Sequence, residues 1–550
     1  MKKYIYSLAI VASALTMSSC VGDLNTMPLN DTDKNAEQVY QKLEDFEQGL
    51  AYVYGSFNLV SQGDPGKADI NVSDAGASEL IRQYINLNEM SADALKCVWG
   101  DSYVNDLQNS TWTSTPNDAM LAVYTRCMMI VTRSNEFLKN SAQKMGLAGM
   151  GQLRAEARFL RALSYFMMLD LFGNPPFATP ENINGELPSQ IGRENLFAWI
   201  ETELKSIISG EEGEELANHG AVNYPRADKG AAQAVLARLY LNAEVYTGQA
   251  RWADAQTAAK AVIDMGYTLC SNYSHIFMQD NTENLDARNE FIFAIAYDRD
   301  KTQSYGGTTC MINASTGEAE NTGIAAALGY PTGSKVNRDQ WNGYHVPAEF
   351  VAQNFELNGV EWGATSGFGF NREMSDRRAL FYNIGCEEAY DKSNVNSGWR
   401  CWKYNSMQSD GTLCSTDTYT VFSSSDFPMF RLAEMYLIYA EAQARLDGGS
   451  TTDATAVDYI RALRTRAGLG TPESIDTDFI LKERACELMW EGHRRTDLIR
   501  YGYFTSIAYP WPYKGGVPDG KVALANYRTI FPLLQSDLSE NPNLVQNPGY

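Results

Sequence analysis

The stretch "EGHRRTDLIR" at residues 491–500 gathers a carboxylate, an imidazole and three guanidiniums in one short run, a set that could carry acid–base chemistry. The spacing argues otherwise. Glu491, Arg494, Arg495 and Asp497 recur at helical intervals, where opposite charges pair along a face and tie a helix to its surroundings. Arg158 and Arg161 in "RAEARFLRALSYF" read the same way, as bridges to neighbouring helices. A second candidate, "GGVPDGKV" at 515–522, spaces Gly515, Gly520 and Lys521 as a phosphate loop does. Val522 stands where a magnesium site needs a hydroxyl, Pro518 removes an amide donor, and no strand-then-helix pattern surrounds it. No G-x-S-x-G elbow occurs. His219, His275, His345 and His493 are scattered, without metal-ligand spacing. A glycosidase needs only two carboxylates ~5–9 Å apart, and 67 acidic residues offer many pairs. No acidic motif stands out, yet the residues alone do not exclude such a pair.

The composition offers flat apolar surface instead. Aromatic residues make up 11% of the 550-residue chain, with 31 Tyr and 10 Trp, too many for a disordered acidic protein. Flat rings also pack on the C–H face of a pyranose. The formal charge of −22 repels polyanions, and no basic patch interrupts it, which argues against nucleic-acid binding. The opening residues "MKKYIYSLAIVASALTMSSC" carry two lysines, an apolar run and two small serines before Cys20, the layout of an export signal. The cysteine at the boundary resembles a bacterial lipoprotein signal, in which the thiol takes a diacylglycerol. Acyl chains there give a stable anchor, since each buried CH₂ contributes ~0.8 kcal/mol. Removing residues 1–19 takes the charge to −24, with 43 basic residues against 67 acidic ones. Cys97, Cys127, Cys270, Cys310, Cys386, Cys401, Cys414 and Cys486 form no CxxC pair; mostly buried free thiols are expected, with room for one bridge.

The elements that must position any site follow from periodicity. Residues 20–35 are polar and read as a tether. Apolar residues recur at helical spacing over 36–60, and helices are predicted at 116–141, 150–172, 193–209, 227–244, 251–265, 430–447, 454–467 and 477–501. "LFGNPP" stops the second of these, with Gly173 as a cap and two prolines as breakers. The stretches 226–267 and 430–469 each place two helices around a short turn, with the Ala/Leu/Tyr pattern and ~34-residue period of a tetratricopeptide unit. Residues 61–115 and 268–428 are the long loop-rich tracts, and loops on a rigid scaffold carry function.

Taken together, "RAEARFLRALSYFMMLDLFGNPPF", "RADKGAAQAVLARLYLNA", "FPMFRLAEMYLIYAEAQARL", "KERACELMWEGHRRTDLIRYGYF" and the terminal "FPLLQSDLSENPNLVQNPGY" resemble the SusD/RagB family of outer-surface glycan-binding lipoproteins. The resemblance spans nearly the whole chain. It implies a mostly α fold, with four tetratricopeptide-like hairpins forming a curved scaffold and an irregular loop-rich half carrying short strands. It places one such domain over 36–550, after a signal peptide at 1–19. It further implies outer-membrane, cell-surface location, partnership with a SusC-like TonB-dependent transporter, and binding without hydrolysis, so that no enzyme and no catalytic residue are expected.

Within that family the chain resembles the starch-binding SusD type, through "CSNYSHIFMQDN" and "SYGGTT" among others. The resemblance implies carbohydrate-binding roles residue by residue. "DAGASELIR" places Asp74 and Arg82 at an acid and an arginine position, and "NEMSADALKCVW" places Trp99 at a stacking tryptophan. "QSYGGTT" places Tyr305 at a stacking tyrosine. "WNGYHV" places Tyr344 where the type has a second tryptophan, with Trp341 three residues earlier. The asparagine expected after Trp99 is missing, and Asp101 is the candidate to replace it. In this reading the rings stack along a curved starch or malto-oligosaccharide, Asp74 accepts hydrogen bonds and Arg82 donates a fork of them. No cofactor is expected. A structural calcium is weighed at the oxygen-rich "MQDNTENLD", where Thr282 interrupts the acids.

Overall fold

A computed structural model describes residues 39–181, 185–356, 375–387, 390–413 and 421–550. Cys20, the expected anchor, the tether expected over 20–35 and Cys414 lie outside the described residues. The chain is mostly helical, as expected. The helices that build the scaffold and position the site are α1 Leu43–Gly55, α2 Leu80–Ile85, α3 Ser102–Asn109, α4 Asp118–Ser141, α5 Met150–Leu171, α6 Arg193–Ser209, α7 Lys229–Leu241 and α8 Trp252–Ile263. They continue with α9 Gly307–Ala314, α10 Leu432–Leu446, α11 Ala454–Ala467, α12 Thr477–Leu488 and α13 Arg494–Arg500. None of the described helices is long and apolar enough to cross a membrane.

Side-chain caps set where several of these begin. Asn117, Asp228, Asp453 and Asp476 each accept a backbone N–H from three residues on, answering a donor that the first helical turn leaves open. At the other end of α5, Gly173 takes a positive φ and its N–H returns to the Met168 carbonyl. The helices pack as successive hairpins, α4 on α5, α5 on α6, and α7 on α8. The two look-alike pairs, separated by some 170 residues of sequence, are neighbours in space, because α8 lies on α10. Ala255 and Ala259 of α8 and Ala440 and Ala444 of α10 are fully buried, and small residues let the axes approach closely.

Two predicted helices are broken in the structure. The one expected over 227–244 ends at Leu241 and restarts as Ala243–Thr247. The one expected over 477–501 stops at Leu488, because Trp490 and Gly492 take positive φ. The break aims the Gly492, His493 and Arg494 amides at one buried oxygen of Glu89. A continuous helix would have turned those donors inward.

The irregular half is pinned by short antiparallel ladders of strands β1 Lys96–Cys97, β2 Phe291–Ile295, β3 Tyr344–His345 and β4 Phe427–Arg431. β2 pairs with β4, Phe291 opposite Arg431 and Ile295 opposite Phe427, with all residues of both strands buried. β1 pairs with β3, Lys96 opposite His345 and Cys97 opposite Tyr344. The seven cysteines among the described residues are free, and all but Cys386 are buried.

The charged motif at 491–500 is structural. Glu491 takes Arg431 at 2.6 Å and Lys403 at 2.7 Å, Arg494 pairs with Asp93 at 2.7 Å, and Asp497 meets Arg484 and Arg500, each at 2.8 Å. All of these groups are buried. Arg158 and Arg161 of α5 both reach Glu203 of α6.

Candidate functional site

The β1–β3 ladder decides which residues meet. Beyond Cys97 the pairing carries on, with Val98 N–H donating to Gly343 O at 3.1 Å. Trp99, one residue further, therefore arrives beside the 341–343 turn. Its indole Nε1–H donates to the Trp341 carbonyl at 3.2 Å. The ring lies across Gly343 so closely that a Cβ there would fall 2.0 Å from a ring carbon, so glycine is required. The turn itself is anchored on α9: Trp341 N–H donates to Asn313 O, and Gly343 N–H to Ala314 O. Trp341 is oriented by Asp339, whose carboxylate accepts its indole N–H at 3.0 Å.

Tyr305 enters from the segment just before α9. Its ring centroid is 6.4 Å from that of Trp341, tilted by 47°. Phe422, distant in sequence, lies 5.1 Å on its other side. Trp99, Trp341, Tyr305 and Phe422 are all half-buried, so part of each ring remains open to solvent.

Tyr344 departs from the expected role. It is 1% exposed, and its hydroxyl donates to Asn86 Oδ1 at 2.8 Å inside the protein. It offers no face to a ligand. Its ring instead supports Trp99 at a centroid distance of 5.4 Å. The ladder that holds Tyr344 is buried on both of its faces, while Trp341 belongs to the turn that precedes it and stays half-buried.

Asp74 and Arg82 meet each other. Asp74 sits ahead of the short helical turn Ala75–Ser78, accepts from the Gly76 and Ala77 amides, and takes Arg82 Nη1 at 2.8 Å. Its side chain stays half exposed, so it keeps acceptor capacity for a ligand. The fork expected of Arg82 is turned inward. Arg82 is 5% exposed, and its second nitrogen reaches Tyr103 OH at 3.2 Å. Asp74 and Tyr103 thus take the two terminal nitrogens of this buried guanidinium, while its Nε is buried without a hydrogen-bond partner. Its Cζ also stands 5.7 Å from the centre of the Trp99 ring. Asp101, two residues past Trp99, is half-buried ahead of α3, and its carboxylate makes no capping bond.

The two tracts meet through the backbone as well. A Cβ on Gly76 would fall 2.7 Å from the Tyr305 carbonyl oxygen, so the Asp74 turn lies directly on the Tyr305 segment. The result is a group of half-buried rings, Trp99 on the Trp341 backbone and Tyr305 beside the Trp341 ring, with the half-exposed Asp74 on the turn packed against the Tyr305 segment. A cleft of about 570 Å³ exists elsewhere, lined by His219, Tyr224, Tyr267 and Arg288 among others, and shares none of these residues.

Residues 278–286 do not converge as a cation site would need. Asp280 accepts from Ser409, Asp286 from Ser271, and Thr282 donates to Asp426. Among the described residues no group of three or more His, Cys, Asp or Glu is placed to hold a metal. Phe422, Asp339, Tyr103 and Glu79 belong to the site's construction and escaped sequence reasoning. The first lies far along the chain, and the others carry no local pattern.

The chain belongs to the SusD family. Residues 362–550 match the model described as "SusD family", and residues 67–241 match one described as "Starch-binding associating with outer membrane". The chain is 33% identical to the starch-binding protein SusD of Bacteroides thetaiotaomicron, across 100% of this chain and 99% of that one. It is 25% identical to SusD-like protein P25 of Formosa agariphila, across 72% and 73% of the two. Among solved structures, a laminarin-binding SusD-like protein shares the fold with a TM-score of 0.66, at 20% identity over 93% of this chain and 100% of that chain.

Proposed function

We propose that this chain is a cell-surface lipoprotein, anchored at Cys20, that captures starch or malto-oligosaccharide and passes it to a SusC-like TonB-dependent transporter without hydrolysing it. The observation that carries the reading is the convergence of Trp99, Trp341 and Tyr305, from two distant tracts, on one open face with Asp74 at its edge. Tilted rings follow a curved chain, and each covers apolar sugar surface. The acid adds selectivity, because a buried polar atom left unpaired costs ~1–3 kcal/mol. Full-length identity to a starch-binding relative supports α-glucan as the cargo. Asp101 is assigned as a further polar contact, and Tyr344 and Arg82 as supports of Trp99 and Asp74.

Electrophoresis in a native gel containing amylopectin tests the reading. Wild type should be retarded and Trp99→Ala should run free. Unretarded wild type removes starch, and a panel of β-glucans and host glycans then identifies the cargo. That second reading draws on the buried Tyr344, which leaves fewer open rings than expected, and on the laminarin-binding structure of the same fold. Release of new reducing ends from maltoheptaose would instead make the protein a glycosidase.

A further inference from the structure

Glu79 lies between the two halves of the aromatic face and touches both. It is 0% exposed and immediately precedes α2. Its Oε2 accepts the Arg82 backbone N–H at 2.6 Å, on the segment that carries Asp74 and Arg82. The same oxygen accepts Gly307 N–H at 2.8 Å, two residues past Tyr305. Oε1 accepts the Tyr297 hydroxyl at 2.6 Å. The chain leaves room for this contact. A Cβ on Gly306 would fall 2.3 Å from the Glu79 Cβ, and one on Gly307 would fall 2.0 Å from the Tyr297 hydroxyl.

We propose that Glu79 is the positioning residue of this face, its carboxyl clamping the Tyr305 segment onto the turn that bears Asp74 and Arg82. The proposal rests on the reading of that face as the glycan site. Two amides meet one oxygen and a hydroxyl meets the other, so the clamp holds in either protonation state. A proton on Oε1 is donated to the Tyr297 oxygen while Oε2 keeps both amides. Burial pushes the Glu79 carboxyl up to about 7, and the N–H and O–H donors only partly offset this. The titratable and charged groups around it are Tyr297 after β2, Asp426 behind Tyr297, Cys310 on α9 and Arg82 on α2. Glutamine has the same shape, with an acceptor for the two amides and a donor for Tyr297. Alanine has neither.

The test uses calorimetric titration with maltoheptaose and hydrogen exchange across residues 303–310, on wild type, Glu79→Ala and Glu79→Gln. Glu79→Ala should bind about tenfold more weakly, with faster exchange in that segment. Glu79→Gln should recover affinity to within about twofold at both pH 5.5 and pH 8 and keep the protection. Exchange that quickens in 303–310 and not throughout the chain separates a lost clamp from a general loss of stability. If wild type does not bind maltoheptaose, the cargo reading falls and the exchange data alone decide the clamp. Should Glu79→Ala fail to fold, Tyr297→Phe removes one of the three bonds and should raise exchange in the same segment by a smaller factor. Unchanged affinity and exchange in Glu79→Ala would overturn the proposal, as would Glu79→Gln behaving like Glu79→Ala.

Discussion

Two groups of buried glutamates divide the molecule. Along the seam between β4, α10 and α12, Glu441 and Glu487 face arginines. Burial alone would push Glu487 up, yet Arg466, Arg431 and Arg378 hold it far below the usual carboxylate range. Against the same opposition, Arg500, Arg445 and Arg484 bring Glu441 down to about 2. Under the aromatic face and at the broken helix, Glu79 and Glu89 meet chiefly backbone amides and, for Glu79, a hydroxyl. Burial wins there, and both are pushed up to about 7. The seam is held by charge and the site's foundation by hydrogen bonds to uncharged donors. Guanidiniums in the scaffold are consumed by structure, which is why the arginine-rich motif has no chemistry left to offer.

The largest effect should come from opening the seam. Arg431→Ala would remove the one cation shared by Glu290, Glu487 and Glu491, leaving Arg466, Arg378 and Lys403 to offset three buried carboxylates, at a cost of about 3–5 kcal/mol read by urea unfolding. A loss under about 1 kcal/mol would show that the seam does not hold the scaffold.

The two groups should also respond to pH with opposite sign. Glu441 and Glu487 titrate lower in the folded chain than in the unfolded one. Their stabilisation is present above about pH 4.5 and is lost as pH falls toward the folded values. Glu79 titrates higher when folded, so its penalty is absent below pH 4.5, grows up to about pH 7 and is full above it. Glu79→Gln should therefore exceed wild type in stability by on the order of 2–3 kcal/mol at pH 8 and converge with it near pH 4.5. Parallel curves at all pH values would show that Glu79 titrates alike in the folded and unfolded chains.

Gly343→Ala should act on the face with less effect on the fold. The added methyl overlaps the Trp99 ring, so the ring must move, and retardation by amylopectin should weaken about tenfold, or ~1.4 kcal/mol. Retained affinity would mean that Trp99 is not held where the ligand needs it. The smallest effect is expected of Tyr344→Phe. It leaves Asn86 without its donor and should cost about 1 kcal/mol of stability while affinity stays within twofold. A severalfold loss of affinity would return Tyr344 to the ligand.

Helix positions and the structural nature of "EGHRRTDLIR" were legible in the sequence, because periodicity, caps and charge spacing are local signals, and the family was legible through the resemblance of its quoted stretches. α6 and α11 were predicted to the residue, and Arg158 and Arg161 do bridge helices as read. Which ring faces outward was not a local property. Trp341 and Tyr344 lie three residues apart, yet one is half-buried and the other sealed, because Tyr344 sits in a ladder buried on both faces and Trp341 in the turn before it. Whether Arg82 points at solvent or at Asp74 depended on Tyr103, Asp74 and Trp99 arriving around it. Composition determined that this chain folds and carries flat rings in quantity. Only the tertiary structure decided which of them share a face, since that rests on contacts between residues hundreds of positions apart.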